Sequence, residues 1–140
     1  MPTKTRFLVA LLVALISASV ACVMIALPRS RTHVWILVLN RTFDEVRDVR
    51  IEFYGSSLAA PKAAESMSPN EQQGYSTETT AEIPSKAVVR WTGPEGVQIV
   101  AEVYPQRVAG RRYFLEGHEM RIEINCSLEA EVLFTRNRGA

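Results

Sequence analysis

The sequence predicts an all-β domain: an antiparallel β-sandwich of immunoglobulin-like architecture, with about seven to eight short strands, preceded by one N-terminal transmembrane helix. Three observations predict it. An uncharged run, Phe7 to Leu27, opens the chain. Beyond residue 30 the apolar residues recur with a period of two, the spacing that puts alternate side chains on one face of a strand. Gly, Pro and Asn break that alternation about every eight to twelve residues, as turns between short strands do.

The opening run admits three readings. Lys4 and Arg6 before it, and Ser19-Val20-Ala21 within it, fit a cleaved signal peptide. Ala21-Cys22 offers a thiol for lipidation, although Ser19 stands where a lipoprotein signal usually has Leu. The third reading is a retained anchor. As a helix the run would reach about 31 Å, close to the roughly 30 Å of a hydrocarbon core. Val23, Met24, Ile25, Ala26 and Leu27 continue the run past Cys22, where a processed protein turns polar. Pro28 then stops it, followed by Arg29 and Arg31. The anchor reading is the expectation, with residues 1–28 as anchor and 29–33 as a short linker. Ala10, Ala14, Ala18, Cys22 and Ala26 recur every fourth residue, a small-residue stripe against which a second helix packs in lipid. The flanking charges are nearly balanced, so orientation rests on the resemblance to an export signal. The N-terminus is expected in the cytoplasm, and the domain in the periplasm or outside an inner membrane. A secreted protein or lipoprotein is the alternative.

Residues 34–136 are expected to form the β domain. Val34 to Leu39 is a continuous apolar run, which fits a strand buried on both faces. Val49, Ile51 and Phe53 alternate with charged neighbours. The stretch 56–74, rich in Ala, Ser, Pro and Gln, reads as a flexible loop with room for a short strand at 63–67. Tyr75 to Ile83 alternates again. Residues 86–92 and 97–104 form a hairpin around Gly93-Pro94-Glu95-Gly96. Residues 105–110 read as a loop. Tyr113–Glu116 and Glu119–Cys126 read as a second hairpin around Gly117-His118, with Met120, Ile122, Ile124 and Cys126 on one face. Ala130, Val132 and Phe134 make the last strand, and 137–140 a loose tail. Two facing sheets bury so many half-apolar strands. Trp35 and Trp91 are both candidates for the core centre.

Charge excludes one function class. Of 140 residues with net charge +1, the first twenty-eight carry only Lys4 and Arg6, so the remainder is near neutral. A nucleic-acid binder would show a basic face. Two cysteines, one of them Cys22, leave the domain without an internal disulfide, and Cys126 reads as a small buried hydrophobe.

No catalytic or metal constellation emerges. His33 and His118 are the only histidines, with no Cys-x-x-Cys or His-x-x-x-His spacing. His118, in a turn, reads as solvated. The acidic pairs Glu116/Glu119 and Glu129/Glu131 read as solvated rims. Glu78 and Glu82 read as cross-strand partners of arginines such as Arg50 or Arg90. Arg111-Arg112, the one basic doublet of the domain, is a possible partner contact or a charged edge that discourages aggregation. Asn40-Arg41-Thr42 and Asn125-Cys126-Ser127 match the glycosylation acceptor pattern.

The function expected from these residues is therefore non-enzymatic, with no cofactor or metal. It is a single-pass membrane-anchored interaction module or accessory subunit of a cell-envelope complex, binding through a sheet edge or the 56–74 stretch. Its partners would be the membrane and another envelope protein, or a second copy through the anchor helix. Two alternatives stand beside it. One is a cleaved or lipid-tethered periplasmic small-ligand binding module, for which Trp35, Trp91, Tyr54, Tyr104 and Tyr113 could line a pocket. The other is a membrane-associated immunity-type inhibitor.

Overall fold

A computed structural model describes residues 3–26 and 29–136, with the backbone alone described for 18–26. The chain divides into two compact units, residues 1–30 and 31–140.

The first unit holds helix α1 (Thr3–Ala26). Among the described residues, no helix is long and apolar enough to cross a membrane. This corrects the transmembrane helix, the signal anchor and the single-pass inner-membrane location. The function of a membrane-anchored envelope subunit falls with them. Ala10 and Ala14 lie on α1 and are exposed, whereas the side chains of Ala18, Cys22 and Ala26 lie outside the described residues, as does the 137–140 tail.

Among the described residues, the second unit has eight strands: β1 (Thr32–Asn40), β2 (Val46–Tyr54), β3 (Ala64–Met67), β4 (Gln72–Thr79), β5 (Lys86–Thr92), β6 (Gln98–Val103), β7 (His118–Ile124) and β8 (Ala130–Arg136), with a short helix α2 (Pro105–Ala109) after β6. They form two four-stranded sheets, ordered β4-β1-β7-β8 and β3-β2-β5-β6.

The wholly antiparallel sandwich is corrected in the first sheet, which is mixed. β1 pairs antiparallel with β4, but parallel with β7, matching Ile36 to Met120 and Val38 to Ile122. The expected hairpin at 113–126 does not form. In place of a strand, Tyr113 forms an isolated bridge to Glu82. The expected loop at 105–110 is helix α2, with Pro105 in its first turn and Gly110 as its left-handed C-cap. α2 and residues 110–117 carry the chain from the second sheet back to the first. β7 then enters beside β1 running the same way, as a long crossover allows and a tight turn does not.

One apolar core joins the two sheets. Val34, Ile36 and Val38 of β1 and Met120, Ile122 and Ile124 of β7 meet Val49 and Ile51 of β2, Met67 of β3, and Val89 and Trp91 of β5. Each such side chain contributes roughly 1.5–3 kcal/mol by leaving water. β1 is not buried evenly on both faces. Val34, Ile36 and Val38 point into the core, while Trp35 and Leu37 are half-buried on the other side. Trp91 is 3% exposed, so it alone of the two tryptophans lies in the core. The 56–74 stretch contains β3 and the start of β4, and its Leu58, Ala64 and Met67 are buried.

Candidate functional site

The site begins with a parity break in β2. Strict alternation would put Val46 and Val49 on opposite faces, because they are three residues apart. Both are buried, and the intervening Arg47 and Asp48 are exposed. The backbone absorbs the extra residue in a bulge. The β2–β5 register shifts between Arg47 and Arg50, and Asp48 takes φ +47°, a region that Asp tolerates better than most residues. Asp48 and Arg50 are thereby both turned to the outer face of the second sheet.

The neighbouring strands complete the surroundings. Arg50 lies directly opposite Arg90 on β5, and Arg90 opposite Val100 on β6. Thr92 pairs with Gln98 beside the β5–β6 turn, which Pro94–Gly96 closes with Glu95 at φ +66°. These residues, with Trp91 and Ile99, line a hollow of about 330 Å³. That volume falls within the usual range of small-molecule sites. Among the described residues, the side chains of Asp48, Arg50, Thr92 and Gln98 have no hydrogen-bond or ion-pair partner. Arg90 reaches Glu52 only at 3.9 Å, with both side chains about half exposed, a pairing of little strength.

The other half of the same face is closed by its own contacts. Tyr54 Oη donates to Glu52 at 2.6 Å, and Tyr104 Oη to Glu102 at 2.8 Å. Lys86 lies 3.9 Å from Glu102 and 4.8 Å above the Tyr54 ring. Both phenols are raised above their ordinary pKa, first by the hydrogen bond to the carboxylate and then by its charge.

A second hollow, about 210 Å³, sits among three loops and is lined by Phe43, Trp91, Pro94, Cys126 and Leu128 with their neighbours. Phe43 is 88% exposed. Cys126, expected as a buried hydrophobe, is a free and exposed thiol. β7 ends at Ile124, and the turn that follows takes Cys126 out of the strand alternation.

Other sequence-predicted residues fall elsewhere. Glu82 pairs not with Arg50 or Arg90 but with Arg112, at 2.7 Å, and its hydrogen bond raises the Arg112 pKa. Arg112 also lies over the Tyr113 ring at 5.7 Å. Arg111 is exposed. His118 is not solvated but buried at the head of β7, packed against Phe114 and Phe134. Glu119 is likewise buried, bonded to Arg121, which also faces Glu123 at 3.8 Å, while Glu123 meets Arg41 at 3.6 Å. Glu116 accepts the His33 backbone N–H at 2.9 Å. Asn40, the first glycosylation candidate, is fully buried. Trp35 packs edge-on against His33 on the first sheet, away from both hollows.

The sequence reading missed the grouping of Asp48, Arg50, Arg90 and Gln98. Its one visible signal was the odd spacing of Val46 and Val49, which demands a bulge at Asp48.

No family model matches the chain, and no curated protein matches it. A solved structure described as the NMR structure of the protein from Eubacterium rectale is similar, at 12% identity and a TM-score of 0.43. The match covers 80% of this chain and 95% of that one.

Proposed function

We propose that the β domain is a non-catalytic module that binds a small polar ligand in the hollow between Asp48, Arg50 and Gln98. One observation carries the reading. Oppositely charged side chains, Asp48 and Arg50, line one concavity, and neither is engaged by another described residue. Elsewhere on the same face the carboxylates of Glu52 and Glu102 each accept a tyrosine hydroxyl, from Tyr54 and Tyr104. Polar groups that converge on a hollow and are left to the solvent supply the directional contacts that fix a ligand.

The exposed charges also suit exchange with the medium. Their interactions lie in water, where each ion pair contributes little, so binding is weak and salt-dependent. The test is a thermal-shift screen of the full chain with small amino acids, carboxylates, phosphates and amines. A ligand that binds the folded state raises Tm by mass action. The expected result is a rise with at least one solute class that disappears in the double variant D48N/R50Q. A flat response to every class overturns the reading.

A further inference from the structure

We infer that the ligand of this hollow is a small zwitterion carrying both a carboxylate and an ammonium group, the chemistry of a free α-amino acid. The inference rests on the reading of the hollow as a ligand site and names the class of ligand.

The argument starts from the strand pairing. Arg50 and Arg90 are directly opposite across β2 and β5. Residues so placed have Cα atoms about 4.5–5.5 Å apart, and like charges in that position repel. Neither guanidinium is well neutralised, since Arg50 has no partner among the described residues and Arg90 has only the 3.9 Å contact to Glu52. A carboxylate placed between them relieves the repulsion, because each planar fork presents paired N–H donors to its oxygens.

Asp48 decides between a simple anion and a zwitterion. It lines the same hollow and has no cationic partner among the described residues. A phosphate or an isolated carboxylate held by the arginines would face its negative charge. A simple amine held by Asp48 would face two guanidiniums. A molecule with both groups satisfies all three side chains at once. Thr92 and Gln98 offer further hydrogen-bonding groups beside the charges, and Val100, more than half exposed next to Arg90, provides an apolar wall for an aliphatic side chain.

The experiment is a chemical-shift titration of the full chain, read at the backbone amides of Thr92 and Gln98. The probes are L-leucine, N-acetyl-L-leucine, L-leucinamide and inorganic phosphate. L-Leucine is expected to move both amides, and each of the other three to bind at least tenfold more weakly. D48N is expected to weaken L-leucine tenfold while leaving N-acetyl-L-leucine no weaker. Asn accepts the positive φ at this position, so this variant retains the bulge. R50Q is expected to weaken every carboxylate. If N-acetyl-L-leucine, L-leucinamide or phosphate binds as tightly as L-leucine, the zwitterion is overturned and the ligand-binding hollow stands. If none of the four moves Thr92 or Gln98, the zwitterion is overturned, and the wider solute screen separately decides the hollow.

Discussion

His118 Nδ1 accepts the backbone N–H of Leu115 at 3.1 Å, three residues before it. The bond closes the turn through which the chain enters β7, and it requires an unprotonated Nδ1. Burial lowers the His118 pKa, and the charges of Arg111 and Arg136 lower it further. The folded pKa therefore lies below the unfolded one, near 6.5. Between the two values the unfolded chain binds more protons, so stability falls as pH drops through the unfolded pKa and levels off below the folded one. Melting temperatures from pH 8 to pH 4.5 should show this decline, and H118Q should flatten it. An unchanged slope in the variant would assign the acid sensitivity to other groups.

Asn40 satisfies four hydrogen bonds inside the domain. Its Nδ2 donates to the carbonyls of Asp44 and Met67 at 2.8 and 2.9 Å. Its Oδ1 accepts the Thr42 backbone N–H and hydroxyl at 2.9 and 2.7 Å. The side chain thus ties the β1–β2 loop to the end of β3. Asn40→Ala leaves the Met67 carbonyl without this donor, and should cost about 2–4 kcal/mol in urea unfolding. A loss below about 1 kcal/mol would show that water replaces the tie.

Gly74 sits opposite Leu37 in the β4–β1 pair at φ +154°. A Cβ there would meet the Ile36 carbonyl oxygen and come within 2.9 Å of Leu37 Cα. Backbone cannot yield as a flexible side chain does. Gly74→Ala should destabilise by about 3 kcal/mol or more, read from the same urea midpoint. A near-neutral result would mean that β4 shifts away from β1 without loss.

The two tryptophans should report different surroundings. In Trp35→Phe, the remaining Trp91 emission should resist iodide quenching, since its ring lies in the core. In Trp91→Phe, the half-buried Trp35 should quench readily, provided circular dichroism shows the fold retained. Equal quenching constants would contradict this placement.

Cys126 should react completely with a thiol reagent under native conditions, because its side chain is exposed. Protection that requires denaturant for release would restore the buried position expected from the strand pattern.

The β character of residues 31–136 was legible because period-two alternation is a local property. Ala87, Val89 and Trp91, spaced two apart, all turn inward, and Gly93 to Gly96 supply the turn before β6. The alternation failed where a strand ended or slipped. Cys126 continues the pattern of Ile122 and Ile124 on paper, but β7 has already stopped. Val46 and Val49 break parity, and only the bulge reconciles them.

From its own residues, the chain determined a two-sheet-sized set of short strands, most of their inward faces and the β5–β6 hairpin. All of these follow from side-chain periodicity and turn chemistry within a few residues. Tertiary structure decided that β7 lies parallel to β1, because partners some eighty residues apart are chosen by matching apolar faces across the sheet and not by local pattern. It also decided the site. Asp48, Arg50, Arg90 and Gln98 acquire a common hollow only when three strands align in one register.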